Sequence, residues 1–260
     1  MMAKIAIDGA QLNYRFDGSQ AASVLVLSNS LGTNYELWAP QMDACAARFR
    51  VLRYDSRGHG QSAVTPGPYT IERLGRDVLG LMDALAIDRA HFCGLSKGGM
   101  VGMWLGVNAP HRFDRLVLCN TAAKIGTTQL WDARIAAVRG GGMAAVVDSV
   151  IARWLTDGFR AREPDAVGRV RKMLLETPPE GYVACCAAVR DADQRAAIAQ
   201  IVRPTLVIAG SHDGATPPAD TRLVADAVPG ARYVELDASH LSNVEQASAF
   251  NQAVLDFLTD

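Results

Sequence analysis

The stretch His91-Phe92-Cys93-Gly94-Leu95-Ser96-Lys97-Gly98-Gly99 decides the fold. Its first part is a short apolar run of strand character, and residues 97–108 that follow read as a helix. The turn between them holds Gly94-Leu95-Ser96-Lys97-Gly98, a Gly-x-Ser-x-Gly pattern, which gains meaning only between a strand and a helix. A sharp turn there presents the Ser96 hydroxyl above a sheet, at the positive end of the helix. Gly94 and Gly98 let neighbouring backbone pass closely.

The same alternation continues on both sides. Residues 5–7 and 12–16 read as strands joined through Asp8-Gly9, and 24–28 and 51–54 as two more, the former followed by a polar loop. The stretch 57–68 is rich in Gly and Pro and reads as loop. Ile71, Leu74, Val78, Leu81, Met82 and Leu85 share helical spacing. Residues 116–119, 205–209 and 233–236 are further strands, and 221–228 and 244–258 further helices. Short apolar strands alternating with helices predict an α/β fold, a doubly wound and mostly parallel sheet covered on both faces. Functional groups then gather at the carboxyl ends of the strands.

Between about 125 and 199 only helical patterns occur. Trp131, Arg134, Ile135 and Val138 share one face; Val146, Val147, Val150, Ile151 and Trp154 share another; Val170, Met173 and Leu174 suggest a third. The expected organisation is one core, 1–124 with 200–260, and an inserted helical cap, 125–199, over the carboxyl ends of the strands.

The 26 basic and 27 acidic residues are scattered and leave a net charge of -1, so no nucleic-acid partner is expected. No apolar run reaches the roughly 18 residues of a membrane span, and Met1-Met2-Ala3-Lys4 runs into a strand without a signal region. Five cysteines, Cys45, Cys93, Cys119, Cys185 and Cys186, form neither a metal pattern nor a disulfide framework. Cys93 and Cys119 read as buried thiols, and at least one of the adjacent Cys185 and Cys186 as packing. This usage suits a reducing cytoplasm, and no metal is expected.

Asp213 follows the strand 205–209, and His240 follows the strand 233–236, so both belong above the sheet with Ser96. Asp220 and His212 are the rivals; the first belongs to the next helix. Neutral serine needs a base, His240 suits that role near neutral pH, and Asp213 would orient it. Backbone N–H groups must meet the negative charge that attack on a carbonyl creates, and one belongs to Lys97.

The elbow, the order Ser96, Asp213, His240, and Tyr54-Asp55-Ser56-Arg57-Gly58-His59-Gly60-Gln61-Ser62 resemble the α/β-hydrolase superfamily over the whole chain. More narrowly, Ser28-Asn29-Ser30-Leu31-Gly32-Thr33, Cys119-Asn120-Thr121-Ala122-Ala123-Lys124-Ile125-Gly126, Thr177-Pro178-Pro179-Glu180-Gly181-Tyr182 and His240-Leu241-Ser242-Asn243-Val244-Glu245-Gln246 resemble the 3-oxoadipate enol-lactonases of aromatic catabolism. The resemblance implies hydrolysis of the enol-lactone of 3-oxoadipate to 3-oxoadipate, without cofactor or metal. Its register, in which many relatives carry His-Gly at Asn29-Ser30, implies that Leu31 supplies the second N–H of an oxyanion hole. The loop of Arg57 is expected to be structural, with Arg57 salt-bridged.

The implied substrate is a small anionic lactone. A guanidinium on an apolar helix face is costly unless paired, so Arg134 is the candidate for its carboxylate, with Trp131 and Trp154 shaping the pocket. Lys97 departs from the apolar residue many relatives carry; its side chain is expected to reach a carboxylate, or else to steer the anionic substrate. A small-substrate esterase would use the same triad, and a non-turnover ligand receptor is a further alternative. Epoxide hydrolases and haloalkane dehalogenases place an aspartate where Ser96 stands.

Overall fold

The computed structural model describes residues 3–260, so Met1 and Met2 of the N-terminal reading lie outside the described residues. Eight strands form one sheet: β1 (Ala3–Ile7), β2 (Ala10–Asp17), β3 (Val24–Ser28), β4 (Arg50–Tyr54), β5 (Ala90–Leu95), β6 (Phe113–Cys119), β7 (Thr205–Gly210) and β8 (Arg232–Leu236). Their order is β1-β2-β4-β3-β5-β6-β7-β8. β2 runs antiparallel to both its neighbours, and every pair from β4 to β8 is parallel. β7 is buried at every position, as an apolar strand covered on both faces must be. The edge strand β1 alternates instead.

The register sets the ends of the central strands level. Ser28 pairs with Gly94, Leu95 with Cys119, and Gly210 with Leu236. The chain steps from β3 to β4 on one side and returns past β3 to β5 on the other. A crevice belongs at such a reversal, and the loops after β3 and β5 flank it.

Among the described residues eleven α-helices surround the sheet: α1 (Met42–Ala46), α2 (Ile71–Ala84), α3 (Lys97–Asn108), α4 (Thr128–Gly141), α5 (Ala144–Trp154), α6 (Asp157–Arg162), α7 (Pro164–Glu176), α8 (Pro179–Asp191), α9 (Pro218–Ala227), α10 (Ser242–Glu245) and α11 (Ala247–Thr259). The apolar stripe of α2 is buried from Ile71 to Met82, and Thr70 caps its start by accepting from the Arg73 N–H. Helices α4–α8 all fall between β6 and β7. Their expected faces are buried, including Ile135, Val150, Trp154 and Leu174.

These five helices lie over the strand ends. Thr177 Oγ1 donates to Gly32 O at 3.0 Å, Ser239 Oγ to Arg153 O at 2.9 Å, and Leu241 N to Trp154 O at 3.1 Å. Gly181 packs so closely on Gly58 that a Cβ there would stand 2.0 Å from Gly58 O. The loops after β3, β4 and β8 are thus all engaged.

Two expectations need correction. The helix expected over 244–258 is two helices, because the chain breaks at Gln246 (φ -124°, ψ 47°). Glu245 there accepts from Thr156 and from Ser239 N, and Gln246 Nε2 donates to Asp237 O; these bonds turn the chain away from helical continuation. The stretch after β3 is not plain loop either. It forms 3-10 turns over Tyr35–Gln41 that run into α1 and bury Trp38 completely. Pro40 within it interrupts the periodicity that would have signalled a helix. Among the described residues no helix is long and apolar enough to cross a membrane.

Candidate active site

Ser96 stands between β5 and α3 with φ 57° and ψ -113°. Such a conformation is costly for a residue with a Cβ and persists only when its surroundings enforce it. They do so from both sides: the Ser96 N–H donates to Cys119 O at 2.9 Å, and its carbonyl accepts from Thr121 Oγ1 at 2.8 Å. The flanking glycines are required by space. A Cβ on Gly94 would lie 2.2 Å from Gly98 O, and one on Gly98 2.2 Å from Ser28 O. The elbow is therefore pressed against the end of β3, and Ser96 keeps 8% of its surface exposed.

Asp213 follows β7 and is held by four groups besides a histidine. Oδ1 accepts from the N–H groups of Ala215 (2.8 Å) and Thr216 (2.9 Å). Oδ2 accepts from Thr216 Oγ1 (2.7 Å) and Asn120 Nδ2 (3.2 Å). His240 Nδ1 lies 2.8 Å from the same Oδ2. Burial alone would raise the Asp213 carboxyl, but the imidazole and the Thr216 bonds outweigh it and hold the group below its ordinary value. The carboxylate is thus ionised and engages Nδ1 of His240, which leaves Nε2 as the ring nitrogen free to face Ser96.

His240 is 1% exposed, and its ring lies 5.6 Å from that of Trp154, tilted by 33°. The chain holds this arrangement through Leu241 N and Trp154 O, so α5 and the loop after β8 are tied at the residues that touch. The rivals stand apart. His212 is exposed and bonded to Asp237, and Asp220 is exposed in the first turn of α9.

The loop after β3 carries Leu31, and α3 begins at Lys97. Among the described residues neither backbone N–H has a hydrogen-bond partner. The Lys97 side chain does not behave as expected. It is 1% exposed and meets no carboxylate, and among the described residues its Nζ has no hydrogen-bond partner. Burial lowers its affinity for a proton, with Cys185, Asp55 and Asp77 opposing. A side chain buried in this way is not at the surface, where it could steer a ligand.

Arg134 is half-buried with its guanidinium 4.9 Å from the ring centroid of Trp131, and its charge is felt by the Tyr182 hydroxyl. Trp131 is fixed by its own bond from Nε1 to Ile125 O. Arg153, which the sequence patterns do not single out, adjoins Trp154; burial and then the charge of Arg134 lower its proton affinity. Among the described residues neither arginine is paired with a carboxylate. Two unpaired cations, each within electrostatic reach of the other, leave room for an anion.

Asn120 is a second residue that spacing does not reveal. At φ 46° it ends β6, donates to Asp213 Oδ2 and Ser239 O, and accepts from Ser242 Oγ. Apart from its place in the segment 119–126 that resembles the enol-lactonases, its signal is a polar residue closing an apolar strand. Arg57 pairs with Asp77 at 2.6 Å inside the protein, as its loop suggests. All five cysteines are buried and free. Among the described residues no group of three or more His, Cys, Asp or Glu could hold a metal.

A model of the α/β hydrolase fold matches residues 23–143, and one described as TAP-like protein matches 179–260. The chain is 42% identical over 243 residues to 3-oxoadipate enol-lactonase 2 of Acinetobacter baylyi, covering 94% of this chain and 91% of that one. It superimposes on the crystal structure of the enol-lactonase from Burkholderia xenovorans with TM-score 0.98 and 50% identity, over 99% of this chain and 100% of that one. A hydrolase from Pseudomonas aeruginosa superimposes with TM-score 0.97 and 49% identity, over 100% and 98%. The chain is a hydrolase that belongs to the α/β-hydrolase family, among the relatives of the 3-oxoadipate enol-lactonases.

Proposed function

We propose that this chain opens the enol-lactone of 3-oxoadipate to 3-oxoadipate by serine catalysis, as a cytoplasmic enzyme of aromatic-compound breakdown. The observation that carries the mechanism is the buried His240–Asp213 contact of 2.8 Å, above the same strand ends as the strained Ser96. Residues 125–199 act as a cap on a core made of 1–124 and 200–260.

His240 Nε2 takes the Ser96 proton as Oγ attacks the lactone carbonyl, and Asp213 stabilises the imidazolium that forms. The Leu31 and Lys97 N–H groups face the oxyanion, where one such donor is worth about 3 kcal/mol. Collapse breaks the ring C–O bond, and the enol oxygen leaves with the proton returned by His240. The substrate is a ring, so its leaving group stays tethered in the acyl-enzyme. A water, deprotonated by His240, then releases Ser96, and the enol becomes the ketone.

Arg134 binds the free carboxylate with Arg153 beside it, and Trp131 and Trp154 shape the apolar walls. The test is turnover of the enol-lactone against p-nitrophenyl acetate. Fast lactone and slow ester cleavage, both abolished in Ser96→Ala, is the expected result. Fast ester cleavage with no preference for the lactone would make the chain a general esterase instead.

A further inference from the structure

The N–H of Leu31 can serve an oxyanion only if the peptide planes on both sides of Leu31 are fixed. A trans peptide points its C=O and N–H in opposite directions, so holding one aims the other. The Ser30–Leu31 plane is held by its oxygen: Ser30 O accepts from Thr33 Oγ1 at 2.9 Å and from Thr33 N at 3.4 Å. The Leu31–Gly32 plane is held by its nitrogen: Gly32 N donates to His59 Nε2 at 2.9 Å. The next plane is approached from the helical insertion, where Thr177 Oγ1 shares its one proton between Gly32 O at 3.0 Å and Met173 O at 2.8 Å. Thr33, His59 and Thr177 are all buried. Gly32 itself cannot be replaced: φ is +78°, and a Cβ would meet Leu174 at 2.8 Å and Tyr182 at 2.9 Å.

We infer that Thr33, His59 and Thr177 are positioning residues that aim the Leu31 N–H, and that through Thr177 the helical insertion helps to assemble the oxyanion hole. This rests on the reading that Ser96 attacks and Leu31 receives the negative charge. His59 suits an acceptor role, because burial and the nearby Lys97 charge hold its ring neutral well below its ordinary range. Its other nitrogen, Nδ1, faces Arg57 O at 3.3 Å, which fixes the tautomer that leaves Nε2 bare.

The experiment compares the parent with Thr33→Val, Thr33→Ser and Thr177→Val. Thr33→Val keeps the shape and removes the hydroxyl. Its kcat on the lactone should fall about tenfold, part of what a full donor loss costs, while KM stays within about twofold. Thr33→Ser, which keeps Oγ, should recover most of the rate. Thr177→Val should lower kcat in the same sense by a smaller factor. Benzeneboronic acid, which forms a tetrahedral adduct with serine, should bind Thr33→Val more weakly by a factor close to the loss in kcat.

A folded Thr33→Val with unchanged kcat overturns the inference, as does a Thr33→Ser as slow as Thr33→Val. If Thr33→Val does not fold, Thr177→Val with unchanged kcat and unchanged boronate affinity overturns it. Failure of the underlying reading looks different. Ser96→Ala would then keep turnover, or the parent would not bind the boronate, and the inference would fall with it.

Discussion

At the scale of the residue, Lys97 shows how a backbone and a side chain at one position serve different ends. Its N–H belongs to the elbow, while its ammonium is buried with no hydrogen-bond partner among the described residues. Leaving a buried polar group unsatisfied costs about 1–3 kcal/mol. Lys97→Met, of similar volume and apolar, should therefore stabilise the protein by about that amount at pH 7. The pH dependence has a definite sign. The folded-state affinity of Lys97 for a proton is lowered, so the unfolded chain binds more protons as pH rises toward the ordinary lysine range. The parent is then relieved with rising pH, and the gain from Lys97→Met should shrink between pH 7 and pH 10. Urea midpoints of both proteins at the two pH values check this; a gain that grows with pH contradicts it. Arg134 is the other residue with a single-site prediction. A charge-assisted hydrogen bond contributes about 1.5–3 kcal/mol, so Arg134→Ala should raise KM for the lactone at least about tenfold. A rise of no more than about twofold would remove it from the site.

At the scale of the element, the elbow joins β5 to α3 through contacts that tolerate no added atom. The Gly98 Cα faces Ser28 O, a backbone atom at the carboxyl end of the central strand β3, at a distance that would put a Cβ 2.2 Å away. Backbone cannot swing aside as a flexible side chain can, so β3 and α3 would have to separate. Gly98→Ala should cost about 3 kcal/mol or more, seen as a Tm lower by roughly 6 °C or more and loss of turnover. Gly158→Ala is the control: a Cβ there meets nothing within 4 Å, and it should leave both unchanged. Elements of this kind are legible in sequence. β3 and β7 are largely apolar runs bounded by turn residues, and the elbow motif at the end of β5 occupies its one meaningful place. Pro40 hid the turns ahead of α1, and the bonds of Glu245 and Gln246 broke a helix whose periodicity is unbroken.

At the scale of the molecule, what spacing hides is whatever depends on partners distant in the chain. Asn120 reaches Asp213 across 93 positions, and Thr177 reaches Gly32 across 145. Neither bond leaves a period or a motif, whereas Ser96, Asp213 and His240 each follow a strand and can be read one at a time. Arg153 escaped for the same reason, since only its neighbours show that it is unpaired. The molecule as a whole carries a net charge of -1 and so has no overall attraction for an anion. Any pull on an anionic substrate must come locally, from Arg134 and Arg153. Screening at about 0.5 M salt shortens the reach of those charges to a few ångströms. From about 0.01 M to about 0.5 M salt, kcat/KM for the lactone should fall roughly two- to fivefold, while that for neutral p-nitrophenyl acetate stays level. Replacing both arginines by alanine should flatten the lactone curve. Parallel curves for the two substrates in the parent would mean that the arginines do not face the anion, and that the helical insertion selects by shape alone.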